Sequence, residues 1–561
     1  MKVKRKFWLI SLSVIITAVM VLTACQPAAT ETAAAPTQEQ VQPTEAPTQE
    51  QAQPTEVPTE AATTAPAEPV TLTYIDTSGF YTLDIFLTPW FTYTQGAMYD
   101  TLVNVNLKGD GYDGILADSW EIAPDGMSIT FKLKDGVTFH DGTPWNADAA
   151  LWNLNKYLDP NWPKEINQNW TEVIDNWEKV DDMTIKVNFK SPYATLFADL
   201  VVTYFVSPTA YEAEGQDNFG SNPVGTGAWI PVEIVPNNHV LYKRNPDYTW
   251  GAPYTNGKPP AADFFEIKFI PDQAAAYASL ETGEASFIPL PAQFITNAES
   301  NPDITVNKGT SGELWYLGIN WKKEIYQNFD FRQAIAHALD REEIVLAAFE
   351  GDAFLTGQFV PAGTPGYNAE TDAYALEKWN YDPDLSNQIL DNLGWTDTDG
   401  DGIREKDGQP LEFPVIYNTE EAVGRAAEVI QGEFQDIGIA LDLNPMEAAA
   451  QADILVAEQQ DFFIRPYGYP DPVILSWMVQ YPNRNAYEDA GATELQTKAD
   501  ATMDPAARMK AVDDLNRYLI DQQAWFPLWT PYTLVAYRSN LQGVMFDFQG
   551  GLIFHNVTVA P

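Results

Sequence analysis

The chain has 561 residues with 32 Lys and Arg against 78 Asp and Glu, a formal charge of −46. A field of that sign repels phosphate backbones and anionic lipid, which excludes a nucleic-acid-binding role. The single cysteine excludes internal disulfides, and the four histidines (His140, His239, His337, His555) form no HxxxH-type metal pair, so the body is held by apolar burial alone.

Reading from the N-terminus, Lys2, Lys4, Arg5 and Lys6 precede an apolar run from Phe7 to Leu22, the layout of a secretory signal. The run is shorter than the roughly 20 residues a spanning helix needs. It closes on Leu22-Thr23-Ala24-Cys25, which resembles the lipobox of bacterial lipoproteins. The resemblance implies that residues 1–24 are a signal peptide. It also implies that Cys25 is the lipid-attachment site and that the protein is extracytoplasmic, tethered to a bacterial membrane in the periplasm or at the cell surface. From Gln26 to Val70 the chain holds Pro, Thr, Ala, Gln and Glu with no aromatic, Lys or Arg, and Gln38–Thr48 is nearly repeated as Gln49–Thr59. Such a composition buries too little apolar surface to offset chain entropy, so residues 25–70 read as a disordered tether. Its average reach as a coil is roughly 35–40 Å.

Within the body, Ser128-Ile129-Thr130-Phe131-Lys132-Leu133 alternates with the period of a half-buried strand. Asp125-Gly126 before it, and Asp135-Gly136 and Asp141-Gly142 after it, are turn signals. Asn146 predicts the cap of a helix through Leu151, Leu154 and Tyr157. Gly225-Thr226-Gly227 reads as a sharp turn between domains, because the strand-like Trp229-Ile230-Pro231-Val232 follows it rather than the helix a phosphate loop needs. Arg332 and Arg341 flank a helix with Ala334, Ile335, Ala338 and Leu339 on its apolar face, and capping and ion pairing are their expected roles. His140-Asp141 is a turn pair, since neighbours in a turn point apart and imply no general base.

The run ILADSWEIAPDGMSITFKLKDGVTFHDGTPWNADAALWNLN closely resembles the signature region of family 5 extracellular solute-binding proteins, departing mainly at Lys134 and Ala149-Ala150. The likeness continues in order through Asn222–Gly251, Phe329–Val345 and Tyr518–Val544. The resemblance implies an α/β, two-lobed periplasmic-binding-protein fold, type II-like and of the large cluster with an extra third domain, its lobes joined by crossover strands. Lobe I is expected over 71–112, 225–312 and 526–561, the extra domain over 113–224, and lobe II over 313–525, with a crossover strand at Trp315–Trp321.

It further implies the lipid-anchored, solute-binding component of an ABC importer, a monomer that captures peptides or a similar oligomeric solute and delivers them to membrane permease subunits. An oligosaccharide is the alternative cargo, supported by 17 tryptophans. An extracytoplasmic hydrolase is a further alternative, but no GxSxG, HExxH or nucleophilic cysteine is present, and the expectation is no enzyme. Candidate ligand residues are Arg465, Tyr467, Tyr469, Asp471 and Trp477, with Trp315 and Trp321, and the N-terminal cluster Trp90, Phe91 and Tyr93. Peptide-binding relatives carry an aspartate for the peptide α-amine, which falls here on Gly468 or on Asp471. No cofactor is expected beyond a structural calcium at Asp397-Thr398-Asp399-Gly400-Asp401-Gly402. There Asp397, Asp399, Asp401 and the Ile403 carbonyl offer hard oxygens, but Gly408 stands at loop position twelve, so Glu405 or Asp407 must substitute. A metal-free Asp/Gly turn is the other reading.

Overall fold

The computed structural model describes residues 68–80, 82–88, 92–159, 170–480 and 487–560, all within one unit, Ala67–Pro561. The expected signal peptide, Cys25, the tether up to residue 67, and Trp90 and Phe91 lie outside the described residues. Among those described, no helix is long and apolar enough to cross a membrane.

Strands form the frame. Thr71–Asp76 is rich in β-branched and aromatic residues and is buried from Leu72 onward, because it pairs in parallel with Phe264–Phe269 on one side and Phe287–Pro289 on the other. A 12-stranded sheet runs from Ala440–Pro445 and Glu412–Tyr417 through Phe462–Gly468, Glu313–Ile319 and Phe526–Arg538 to Thr71–Asp76 and, at the far edge, Trp229–Val235. A separate four-stranded antiparallel sheet contains Ser128–Leu133, whose alternating burial matches its sequence period. Asn146 caps the following helix, Ala147–Leu158, through its side chain and the Ala149 N–H at 3.0 Å.

Burial divides the frame into lobes. One large core is built from residues between Leu314 and Trp529. A second joins Leu72 to Phe269 with Phe287 and the C-terminal Val535 to Val557, and the four-stranded sheet shares it through Ile129, Phe131 and Leu133. The 13-residue strand Phe526–Arg538 belongs to both lobes. Its start pairs with Glu313–Ile319 in the second lobe, and its far half pairs with Ile304–Thr310 and Phe287–Pro289 in the first. A parallel link is Ser311-Gly312, between Ile304–Thr310 and Glu313–Ile319. Gly312 sits at φ +67, a left-handed conformation that strains any side chain, and a Cβ there would also crowd the Gly363 carbonyl at 3.2 Å and displace the Gln549 amide, so glycine suits this crossing. The strand expected to cross, from Trp315, therefore lies inside the second core, and the crossing itself falls just before it.

Two other expectations change. The helix around Arg332 and Arg341 is two helices, Phe329–Ala338 and Arg341–Phe349, parted by Leu339 and by Asp340, whose side chain caps the second. Both arginines bond backbone carbonyls rather than forming ion pairs: Arg332 to Tyr326 and Gln522, Arg341 to Pro527 and Trp379. Gly225 and Gly227 have no positive φ; they are glycines because a Cβ would meet the Met98 backbone at 2.1 and 2.5 Å.

Candidate solute-binding cavity and the seam between lobes

A cavity of about 690 Å³ opens in the first lobe, within the range of small-molecule sites. The end of Thr71–Asp76 and the turn at Thr77-Ser78 form one wall, and the short helix Tyr93–Gly96 forms another. That helix is placed by a capping box, in which Thr92 and Gln95 satisfy each other's backbone N–H groups. The third wall is the C-terminal segment Asp547 to His555. Aromatic edges lock the walls together: Tyr74 meets Tyr93 at 4.9 Å, Tyr93 meets Phe554 at 5.1 Å, and Phe554 meets Phe265 at 4.4 Å. The Tyr93 hydroxyl accepts the Leu552 N–H at 2.7 Å, across 459 positions of chain.

Three aspartates line this cavity. Asp100 accepts from Thr226 Oγ1 (2.9 Å), Tyr248 OH (3.0 Å) and Trp250 Nε1 (3.1 Å), and so serves the structure. Burial pushes its carboxyl above the usual range, while those three donors and the Lys134 charge pull the other way. Burial likewise raises Asp547 against the N–H groups of Gly551 and Gln549, and pushes the Tyr93 hydroxyl up to about 12. Of these lining residues, sequence reading singled out only Tyr93 as a ligand candidate. Asp76 carried no motif, and Asp547 only the Gly550-Gly551 turn that follows it.

Of the other expected ligand residues, those among the described residues do not line this cavity. Tyr467 is 3% exposed in the second core and donates its hydroxyl to the Phe359 carbonyl at 2.7 Å. Trp315 stacks on Trp529 with centroids 5.6 Å apart and donates to Glu313 at 2.7 Å. Trp321 donates to the Ala524 carbonyl and lies under the Arg332 guanidinium. Tyr469, Asp471 and Trp477 come together where the second lobe meets the four-stranded-sheet region. Tyr469 packs on Trp477 at 4.6 Å and donates to the Ala198 carbonyl at 3.1 Å.

In that seam Asp471 is not an open amine anchor, because both its oxygens are taken. Arg508 forks onto it at 2.6 and 2.9 Å, Tyr112 donates to Oδ2 at 3.0 Å, and the Val473 N–H donates to Oδ1 at 2.8 Å. Gly468, the other place for the anchor, has no carboxylate, and a Cβ there would crowd the Gly312 carbonyl at 3.0 Å. Arg465 differs from all of these. Its Nε is buried with no partner, and among the described residues its guanidinium meets no carboxylate. It stands where Phe462–Gly468 loses its neighbour, since Glu412–Tyr417 pairs with that strand only at Phe462, Phe463 and Ile464.

In the calcium-like loop, oxygens of Asp397, Asp399 and Glu405 lie within 4.8 Å of one another, whereas Asp401 is outside that group and accepts the Ile403 N–H at 2.8 Å. Asp397 accepts the N–H groups of Gly400 and Gly402, and Asp399 that of Asp401, as in a run of side-chain-stabilised turns. His140 and Asp141 form a structural turn. Burial pushes His140 down to about 4, its Nε2 lies 2.9 Å from the Gly227 carbonyl, and Asp141 accepts from Ser207 and Thr143.

Residues 112–488 match the model of the bacterial extracellular solute-binding proteins, family 5 (middle region). The oligopeptide-binding protein AppA of Bacillus subtilis is 26% identical over 463 residues, covering 80% of this chain and 82% of its own. The nickel-binding periplasmic protein of Escherichia coli is 25% identical over 484 residues, covering 82% and 88%. Among solved structures, Brucella suis NikA with Fe(III)-EDTA superimposes at TM-score 0.76 with 23% identity over 87% of this chain and 100% of its own. Bacillus subtilis AppA with a nonapeptide does so at 0.70 with 22% identity, over 88% and 100%. These likenesses show the mixed α/β, two-lobed binding-protein fold, and the match of the family model over most of the body means that this chain belongs to the bacterial extracellular solute-binding proteins, family 5.

Proposed function

We propose that this protein is the lipid-anchored, solute-capturing component of an ABC importer, acting outside the cytoplasmic membrane as a monomer and delivering a peptide to permease subunits. In this reading Cys25 carries the lipid, residues 25–70 are the tether, and the body divides into lobe I over 71–112, 225–312 and 526–561, an extra domain over 113–224, and lobe II over 313–525. The observation that carries the proposal is a solute-sized cavity in one lobe of a body whose two lobes share the strand Phe526–Arg538 and the Gly312 link. Two cores joined by so few strands can swing, and closure gains its stability from a solute touching both lobes. The unpaired edge at residues 465–468 favours an extended peptide, whose main chain supplies the missing ladder partners. The aromatic lining of the cavity is what favours the oligosaccharide alternative. Capture needs no resident cofactor, and a calcium at Asp397, Asp399 and Glu405 would stiffen a surface loop only.

Native mass spectrometry of the gently purified protein tests the reading: a retained peptide mass supports it, and a retained glycan would move the cargo to the alternative. Incubation with oligopeptides and cello-oligosaccharides, with products followed by mass, separates capture from hydrolysis. Turnover would overturn the proposal.

A further inference from the structure

The charge of the cavity lining is one-sided. Among the described residues it contains Asp76, Asp100 and Asp547 and no Lys or Arg. Asp100 is spent on three donors, as described above. Asp76 is 6% exposed; its Oδ1 accepts the Ser78 N–H and Oγ at 2.8 and 2.5 Å, and its Oδ2 has no hydrogen-bond partner among the described residues. Asp547 is half-buried and bonds likewise through one oxygen, with Oδ1 accepting the Gln549 and Gly551 N–H groups at 2.9 and 2.7 Å and Oδ2 without a hydrogen-bond partner among the described residues. Neither carboxylate forms an ion pair among the described residues. Tyr93 lines the same cavity, and both charges act to raise its hydroxyl. That hydroxyl accepts from Leu552, so its own proton remains to be donated.

A carboxylate oxygen that faces a cavity with no donor of its own is open to a cation or strong donor. Here the protein provides neither, although it does so for Asp100 in the same lining and for Asp471 in the seam. Resting on the capture reading, we infer that this cavity takes a cationic end of the solute, an ammonium or guanidinium group, held by the open oxygens of Asp76 and Asp547 beside Tyr93. The surrounding rings of Tyr74, Tyr93 and Phe554 supply the π surface that such cations favour. Neutral solutes leave both oxygens uncompensated, and anionic groups are repelled. The cation is either a peptide α-amine or a basic side chain, and the cavity has volume for both.

Isothermal titration calorimetry decides this with the full chain in detergent, freed of retained solute by unfolding and refolding. The probes are Ala-Ala-Ala, Ala-Lys-Ala and Ala-Glu-Ala, each with a free and an acetylated N-terminus, and 1,5-diaminopentane. The expected result is that Ala-Lys-Ala binds roughly ten- to a hundred-fold tighter than Ala-Glu-Ala, and that Asp76→Asn and Asp547→Asn each weaken it by about ten-fold or more. Loss on acetylation of Ala-Ala-Ala assigns the α-amine, and retention by acetylated Ala-Lys-Ala assigns the side chain. Binding within about three-fold for all charges, unmoved by either variant, overturns the cation assignment and leaves peptide capture standing. No binding of any probe by the cooperatively melting wild type overturns both. If a variant fails to fold, the wild-type probe series alone still separates these outcomes.

Discussion

Asp471 in the seam and Asp76 in the cavity are almost equally buried, at 2% and 6% exposure, yet they stand in opposite electrostatic situations. Asp471 has donors on both oxygens and a buried guanidinium at its side. Asp500 beside it is bonded by Ser476 and Gln496 at 2.7 Å each. Among the described residues, Asp76 and Asp547 each bond through one oxygen. A carboxylate bonded on all sides holds a fold together, and one bonded on a single side is held in place for something else. The contrast also explains why an aspartate chosen by its position in a motif, Asp471, belongs to the architecture.

The largest test of this contrast is Arg508→Ala. Removing the guanidinium leaves Asp471 buried and uncompensated beside Asp199 and Asp500, so urea denaturation should show a loss of about 3–5 kcal/mol. Asp76→Asn and Asp547→Asn, by comparison, should leave the midpoint unchanged or raise it, because they remove charges that the protein itself does not pair. An Arg508→Ala protein as stable as wild type breaks the comparison.

Asp199 gives the next effect, read through pH. It is buried in the seam, accepts from Trp170 Nε1 and Tyr193 OH at 2.8 and 2.6 Å, and is pushed up to about 7 by burial. Its two donors and Arg508 oppose that rise, and Asp471 adds to it. Because the folded value lies above the ordinary aspartate value of 3.8, the folded state holds the extra proton between those limits. Stability from this group is therefore present at acid pH and lost as pH climbs toward 7, by up to about 1.4 kcal/mol per unit. The difference in melting temperature between wild type and Asp199→Asn should shift in favour of wild type from pH 8 to pH 5. A difference independent of pH would contradict it.

Smaller still is Tyr112→Phe, which removes one hydrogen bond to Asp471 across the seam while Arg508 keeps the carboxylate paired. A loss of about 1 kcal/mol is expected by urea titration. Calcium comes last. With an exposed loop and no bidentate Glu at position twelve, 1 mM calcium against EDTA should raise the melting temperature by about 1–2 °C, and Asp397→Asn should abolish the rise. No rise at all identifies the loop as a plain turn.

Local features were legible because the residues that create them sit a few positions apart. The alternation at Ser128–Leu133 and the cap at Asn146 appear in the structure where the periodicity places them. The ordered motifs of the family were enough to point to a two-lobed binding protein. The cavity was not legible in the same way. Asp76, Tyr93 and Asp547 come from the start and the end of the body, and nothing near any of them announces a partner. Arg332 and Arg341 show the same limit, since their carbonyl partners lie up to 190 positions away.

Sequence alone thus determined the family, the strand and helix pattern of the motif regions, and the charge that turns the protein away from nucleic acids. Which aspartates are neutralised, where the lobes cross at Gly312, and which wall of the cavity carries open oxygens were decided only by tertiary structure. The physical reason is that a side chain's worth depends on its donors and its burial, and both are set by chain segments that meet only after folding.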